Sequence, residues 1–328
     1  MSVLAVVPCL NEAPHLDSLL RQMLADPVID LLVVADGGST DGSQAIVDRI
    51  ARSDGRVALL HNSARIQSAG VNRAVAAFGK GHDWLLRIDA HCEYPKNYAA
   101  LLLGAAERHG AAAVVVPMRT QGRRGFQLAV ATAQNSILGT GGSPHRHVRE
   151  GRSVDHGHHA LMRLDMFFRI GGYCEAMPCN EDAEYDYRQR MAGGAIWIEP
   201  AAAITYYPRS TPAGLWRQYR RYGAGRCRTL VRHRMRPHLR QLLPLAVPFA
   251  LALLPLAFLA PLLAVPAAFW LFACLGVGAL VGAQQGGGWR CAAGVAAAIM
   301  HTAWGFGFLA ERLTHRSALP PRYGLAVQ

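Results

Sequence analysis

VVADGGSTDGS, residues 33–43, begins as an apolar β-branched run and stops at Asp36 in a turn built from Gly37, Gly38, Asp41 and Gly42. Similar runs stand at Leu4–Pro8, Leu31–Ala35, Val57–His61, Trp84–Ile88 and Ala113–Val116. Helical patterns at His15–Leu24, Ser43–Arg52 and Ala69–Phe78 separate the first four. Such alternation builds right-handed βαβ units and a mostly parallel sheet, so the fold class is α/β. Ligands of such sheets bind beyond the carboxyl ends of the strands, and the residues there carry the information about function.

Those strand ends hold carboxylates and amides: Pro8, Asn11 and Glu12 after the first run, Asp36 and Asp41 after the second, Asp89 and His91 after the fourth. The first turn lacks the Gly-x-Gly-x-x-Gly of dinucleotide oxidoreductases. With no glycine at all it also speaks against a sugar nucleotidyltransferase, and no Gly-x-x-x-x-Gly-Lys marks a P-loop. Acids and amides at strand ends suit a nucleotide read by its base and ribose, with a divalent metal on its phosphates.

VVPCLNE (6–12), VVADGGSTDGS (33–43) and LRIDAH (86–91), taken in order, resemble the family 2 glycosyltransferases of GT-A fold. The series continues through NSILGTGGSPHR (135–146), VDHGHHA (154–160), GGYCEAMPCNEDAEYDYRQR (171–190) and RQYRRYGAGRCRT (217–229). The longer set is similar to the ExoA-type glucosyltransferases of succinoglycan biosynthesis and covers residues 2–240. The resemblance implies transfer of a sugar, with inversion, from a nucleoside-diphosphate sugar to an acceptor hydroxyl.

It also implies roles. Asp36 would accept the uracil imide N–H, while an Asx-turn opening the glycine loop accounts for the same residue. Pro8, Asn11, Glu12 and Gln67 join the donor site with Asp89, and Asp41 reads as a turn or cap residue. Asp89 and His91 occupy the place of the Asp-x-Asp metal motif. A histidine in the second position suits Mn2+ better than Mg2+, and a similar Asp-x-His occurs in polypeptide GalNAc-transferases.

Asn180 is read as an N-cap, with Glu181 and Asp182 in the first helical turn, where acids complement the helix dipole. The resemblance assigns Asp182 as the general base. Gln218, Arg221 and Tyr222 share a helix face and match a Gln-x-x-Arg-Trp signature with Tyr for Trp; an acceptor or diphosphate contact and a basic interfacial helix both explain them. Asp155, His156, His158 and His159 suggest zinc, but no second cluster completes a tetrahedral site. His158, His159 and Glu181 are placed at the acceptor or diphosphate instead. Gly139 to Ser143 reads as a flexible loop over the donor.

The 328 residues carry a formal charge of +12, with 51% apolar and 17% charged residues. Disorder, collagen and coiled coil are excluded by that composition. Residues 205–240 contain ten arginines and no acid, while residues 1–204 sum to −1. This block precedes 49 residues, Gln241 to Trp289, without Asp, Glu, Lys or Arg, and Cys291 to Ala310 is uncharged too. So placed, the basicity reads as an anchor to anionic headgroups rather than a nucleic-acid surface. Pro244, Pro248 and Pro255 predict a kinked or re-entrant first segment.

The N-terminus lacks a basic n-region, so no signal peptide is read, and seven scattered cysteines fit free thiols in the cytoplasm. The division expected is a catalytic domain over 1–204, a basic interfacial segment over 205–240, two or three transmembrane or re-entrant helices over 241–311, and a tail over 312–328. Arg312, Arg316 and Arg322 favour an inside tail, whereas three spans would put it outside. Cutting after Arg240 is expected to leave a folded, UDP-binding domain.

The function expected is metal-dependent transfer of a hexose, glucose by the resemblance, from a UDP-sugar to a polyprenyl-diphosphate-linked saccharide. Its place is the cytoplasmic face of a bacterial inner membrane, in exopolysaccharide biosynthesis. Transfer to polyprenyl phosphate, or a membrane-tethered nucleotide-sugar-binding protein without catalysis, are the alternatives.

Overall fold

The computed structural model describes residues 1–142 and 148–314. Ser143 of the glycine loop, and Arg316 and Arg322 of the tail, lie outside the described residues. The described residues form two compact units, one of residues 1–118 and 148–205, the other of residues 119–142 and 206–314.

In chain order the elements are β1 (Val3–Cys9), α1 (Ala13–Leu24), β2 (Ile29–Asp36), α2 (Ser43–Ser53), β3 (Val57–His61), α3 (Gln67–Phe78), β4 (Trp84–Arg87), β5 (Cys92–Glu93), α4 (Tyr98–His109) and β6 (Ala113–Val116). Then come β7 (Met118–Thr120), α5 (Phe126–Gln134), α6 (Ile137–Thr140), β8 (Arg152–Ser153), β9 (His158–Arg163), α7 (Leu164–Arg169), α8 (Glu181–Met191), β10 (Ile196–Ile198) and β11 (Ile204–Tyr206). The chain ends in α9 (Pro212–Arg232), α10 (Leu239–Ala252), α11 (Val265–Gln284) and α12 (Ala293–Leu313).

The first unit is built on an eight-stranded sheet of order β3-β2-β1-β4-β9-β6-β10-β8. Its β3-β2-β1-β4 half is parallel throughout. β9 runs antiparallel between β4 and β6, so the second half is mixed. Leu4, Val6, Val33, Ala35 and Leu85 supply the buried sheet core, against which Val71, Ala74 and Val75 of α3 pack. β1 lies between β2 and β4, so the chain winds outward to β3 and returns to the other side of β1 at β4. That return is a topological switch point, and the crevice opens beyond the ends of β1 and β4.

In the second unit α12 packs along α9, α10 and α5. Small residues permit the approach: a Cβ built on Gly223 of α9 would stand 2.0 Å from the Trp304 carbonyl oxygen, and one on Gly307 of α12 would stand 2.0 Å from the Arg220 carbonyl oxygen. Ala129, Val130 and Ala133 of α5 share a core with Ala293, Ala296, Ala297 and Met300. Glu311 is buried and takes two bonds from Arg228, at 2.9 and 3.1 Å. Residues 119–142 thus belong with the C-terminal helices, although the sequence division placed them within 1–204. Cutting after Arg240 would strip α5 and α9 of their packing against α12.

Two helices, Pro261–Gln284 and Gly288–Leu313, are long and apolar enough to cross a bilayer, with mean hydropathies of 2.1 and 1.4. Phe258, Phe269 and Phe272 are more than 70% exposed, a surface that suits hydrocarbon rather than water. α10 has 14 residues, with Pro244 and Pro248 inside it. At about 1.5 Å per residue it falls short of a core about 30 Å thick.

Candidate active site

Two loops beyond β1 and β2 are tied together by their own backbone donors. Asn11 takes a left-handed φ of 58°. Its N–H donates to Ser39 Oγ at 2.8 Å, and its Oδ1 accepts the Thr40 N–H at 2.9 Å. Asp41 accepts from the Ala13 N–H at 2.9 Å and from Ser43, which makes it a brace between α1 and α2 rather than a ligand.

Asp36, 2% exposed, ends β2 facing inward. Its carboxylate accepts from the Gly38 N–H at 2.9 Å, the Ser39 N–H at 3.1 Å, the Ser39 hydroxyl and the Gln44 amide at 2.7 Å. Burial pushes the carboxyl up, but these bonds, led by Ser39, win and hold it below the usual range. The Asx-turn foreseen from sequence is therefore present, and Gly38 takes the left-handed φ of 88° that the turn requires.

Asp89 follows β4 at the crevice. Its Oδ1 accepts from Gln67 Nε2 at 3.0 Å and faces Arg87 Nη2 at 3.4 Å, and its Oδ2 lies 3.4 Å from His158 Nε2. Its peptide N–H donates to the Tyr94 hydroxyl at 2.7 Å, which donates back to its carbonyl at 3.0 Å. Burial opposes the charge on Asp89, but Arg87, then His158 and His91, hold the carboxyl well below the usual carboxylate range. Burial pushes the His158 imidazole down to about 4. His91 is exposed, with Nδ1 3.1 Å from Glu12 Oε1, which brings the β1 and β4 loops together. An ionised carboxylate and an accessible imidazole two residues apart are a sound partial donor set for Mn2+, with phosphate oxygens and water left to complete it. No cluster of three or more His, Cys, Asp or Glu ligands occurs among the described residues.

Across the crevice, α8 begins after Asn180, whose φ is 60° and whose side chain makes no capping bond. The N-cap role expected of Asn180 is thus not realised; its use is the left-handed backbone that turns the chain into α8. Glu181 Oε1 lies 3.5 Å from Arg87 Nη1. Burial raises the Glu181 carboxyl, with Arg87 opposing and Asp182 adding to the rise. Burial also works against the Asp182 charge, but His156, then His159 and Arg87, hold that carboxyl below its ordinary value. Of the adjacent acids, Glu181 is thus raised and Asp182 lowered from their ordinary values.

One turn further along, Asp186 is fully buried and takes both histidines: His156 Nδ1 at 2.7 Å and His159 Nε2 at 2.8 Å. His159 Nδ1 meets the Tyr173 hydroxyl at 2.6 Å. His159, expected at the acceptor, is 1% exposed and spends both ring nitrogens inward. Strand alternation explains the correction: neighbours on β9 face opposite ways, and His158 is the one turned toward Asp89. Asp155 points away, 81% exposed and paired with Arg190, so the zinc-like cluster does not assemble.

Gln218 and Tyr222 lie on α9 in the second unit. Gln218 Nε2 donates to the Tyr206 hydroxyl at 2.9 Å and to the Tyr222 hydroxyl at 3.0 Å. Arg221 is on the same helix. Gly139 and Thr140 are part of α6, and a Cβ on Gly139 would stand 2.3 Å from the Ala133 carbonyl oxygen. Gly139 and Thr140 of the expected flexible loop are thus helical and closely packed, and Gly141 and Gly142 follow as a turn.

The sequence reading did not single out Arg87, Tyr94 or Asp186 as site residues, and did not assign His156 a role. Two signals were available. An arginine inside the apolar run Trp84–Ile88 shares a strand face with Asp89, and Asp186 stands four residues after Asp182 on one helix face.

A mostly parallel sheet with its acids at the β1/β4 switch point, faced by an acidic helix start, is the arrangement of a glycosyltransferase of GT-A fold. The family described as glycosyl transferase family 2 matches residues 4–171, and the chain belongs to it. The chain is 48% identical over 318 residues to the succinoglycan biosynthesis protein ExoA of Rhizobium meliloti (strain 1021), covering 96% of each. Its fold is similar to that of the mannosyltransferase PcManGT from Pyrobaculum calidifontis in complex with GDP-Man and Mn2+, with a TM-score of 0.64 at 19% identity, covering 94% of this chain and 86% of that one. It is also similar to glucosyl-3-phosphoglycerate synthase from Mycobacterium tuberculosis in complex with Mn2+, UDP and glucosyl-3-phosphoglycerate: TM-score 0.50, 17% identity, 72% of this chain and 81% of that one.

Proposed function

We propose that the protein transfers a hexose, with inversion, from a UDP-sugar to a lipid-linked saccharide at the cytoplasmic face of a bacterial inner membrane, in exopolysaccharide assembly. The observation that carries this reading is the placement of Asp89 and the Glu181–Asp182 pair on opposite sides of one buried guanidinium, Arg87. The kinship to the succinoglycan biosynthesis protein ExoA supports a place in polysaccharide assembly, and the glucosyl donor and polyprenyl-diphosphate-linked acceptor are what the family resemblance implies.

Asp36 reads the uracil imide, one of its present donors, Ser39 or Gln44, yielding a lone pair to it. Pro8, Asn11, Glu12 and Gln67 frame the donor. Asp89 and His91 would hold a divalent cation, Mn2+ in preference to Mg2+, which when bound offsets charge on the diphosphate. Asp182 takes the proton from the acceptor hydroxyl as its oxygen bonds to C1 and the C1–O bond to UDP breaks on the opposite face. His158 and Glu181 line the approach to that carbon.

Two crossings, by α11 and α12, would leave Arg312 on the side on which α10 begins, as the positive-inside rule favours for the arginines of residues 205–240. The test is a donor screen on the full chain in detergent with Mn2+, reading UDP release with a bacterial lipid extract as acceptor. UDP release that depends on both a UDP-hexose and the lipid supports the reading. Release with polyprenyl phosphate alone would move the acceptor, and none under any donor would point to a binding protein without catalysis.

A further inference from the structure

Among the described residues, Arg87 is the one lysine or arginine that is buried, at 6% exposure. A cation is kept in such a place only where carboxylates offset its lost hydration. Its two ends face different elements: Nη2 is 3.4 Å from Asp89 after β4, and Nη1 is 3.5 Å from Glu181 at the start of α8. The Nε atom is buried with no hydrogen-bond partner. The guanidinium is therefore held by side chains, the two carboxylates with the Tyr173 hydroxyl beside them, from three separate parts of the chain.

The two carboxylates are not equally dependent on it. Asp89 has other holds, in Gln67 at 3.0 Å, His158 at 3.4 Å and Tyr94 on its backbone. Glu181 has Arg87 as its ion-pair partner, and it sits in a helix start whose cap residue, Asn180, makes no side-chain cap. We propose that Arg87 is a positioning residue that, through Glu181, fixes the first turn of α8 and so sets Asp182 at a constant separation from Asp89. The inference rests on the general-base reading of Asp182. It predicts that loss of Arg87 damages turnover and leaves the donor in place, because Asp89 remains held.

The experiment uses the full chain in detergent with Mn2+, UDP-glucose and a lipid extract, measuring kcat, donor KM, UDP affinity and melting temperature. Arg87→Met should lower kcat on the order of 100-fold, as expected of a misplaced reacting group, with donor KM and UDP affinity within about threefold. Arg87→Met/Glu181→Gln should recover on the order of tenfold of that loss, since removing both partners leaves no unpaired buried charge. Arg87→Lys should fall between wild type and Arg87→Met. If Arg87→Met does not fold, Glu181→Gln alone should still lower kcat at unchanged UDP affinity.

Wild-type kcat in Arg87→Met or in Glu181→Gln overturns the proposal. So does a loss confined to KM and UDP affinity, which would put Arg87 on the donor, or a double variant with no recovery. Failure of the underlying reading shows elsewhere: in an unsubstituted chain that releases no UDP, or an Asp182→Asn variant with full turnover.

Discussion

Asp186 Oδ2 stands 2.7 Å from His156 Nδ1 while its other oxygen holds His159 at 2.8 Å, so one buried carboxylate orients two imidazoles next to Asp182. Burial works against this charge, but His159 first, and then the bonds from both histidines, depress the Asp186 carboxyl from 3.8 to about 2. A carboxyl lowered in the folded state stabilises above its unfolded value, and that contribution is lost as pH falls from about 4 toward 2. At about 1.4 kcal/mol per unit the contribution is roughly 2 kcal/mol. Asp186→Asn should therefore melt several degrees below wild type at pH 7, and the gap should narrow steadily between pH 5 and pH 2.5. A gap that stays constant with pH would contradict this account.

Asp182→Asn separates the two explanations of an acid in a first helical turn. The amide keeps the size and one acceptor, so α8 should start normally. If Asp182 takes the acceptor proton, turnover should fall about 10²–10⁴-fold with UDP affinity kept. If it only complements the helix dipole, the change should cost about 0.3–1 kcal/mol of stability with turnover intact. Turnover and melting temperature measured on one preparation decide between them, and Asp36→Asn, which should weaken UDP binding instead, is the control.

The parallel half of the sheet was legible because its strands and helices obey local rules. Val57–His61 and Ala113–Val116 have the bounds that their composition indicates, and α2 and α3 begin within two residues of the expected positions. β8, β10 and β11 are two or three residues long and take their place only by pairing with distant strands. Asp36, Asp89 and Asp182 could be placed because strand ends and helix starts are visible in a chain, while the base role of Asp182 comes from the resemblance alone. Arg87 and Asp186 could not be ranked, because what distinguishes them is burial against residues about 30 to 95 positions away. The same holds for residues 119–142, whose partners in α12 lie some 160 positions further on.

Activity should require a divalent cation and should be higher with Mn2+ than with Mg2+, because the second position of the metal motif is His91. Excess EDTA should abolish UDP release and added Mn2+ should restore it. His91→Asp creates an all-oxygen pair and should raise the Mg2+-supported rate relative to the Mn2+-supported one. Mn2+ affinity, followed by the electron-spin signal of the free ion, should fall in His91→Ala. Full activity in excess EDTA would remove the metal from the mechanism.

Helix packing in the second unit gives a prediction whose sign depends on position alone. Gly223 on α9 and Gly276 on α11 are both helical, and replacing either with alanine adds one methyl group. At Gly223 the new Cβ would stand 2.0 Å from the Trp304 carbonyl oxygen of α12, while at Gly276 nothing lies within 4 Å. The first methyl must push two backbones apart, and overpacking of this kind costs about 1–3 kcal/mol or more. The second meets open space and gains roughly 0.5–1 kcal/mol of helix preference at most. In detergent, Gly223→Ala should lower the melting temperature by several degrees, and Gly276→Ala should leave it unchanged or slightly raised. A chain ended after Arg240 lacks α12 altogether, which exposes the apolar faces of α5 and α9 that α12 covers, and it should aggregate unless detergent replaces that cover. A monodisperse, cooperatively melting chain of residues 1–240 in plain buffer, with a Gly223→Ala variant as stable as wild type, would mean that α12 is not part of the packing that holds α9 in place.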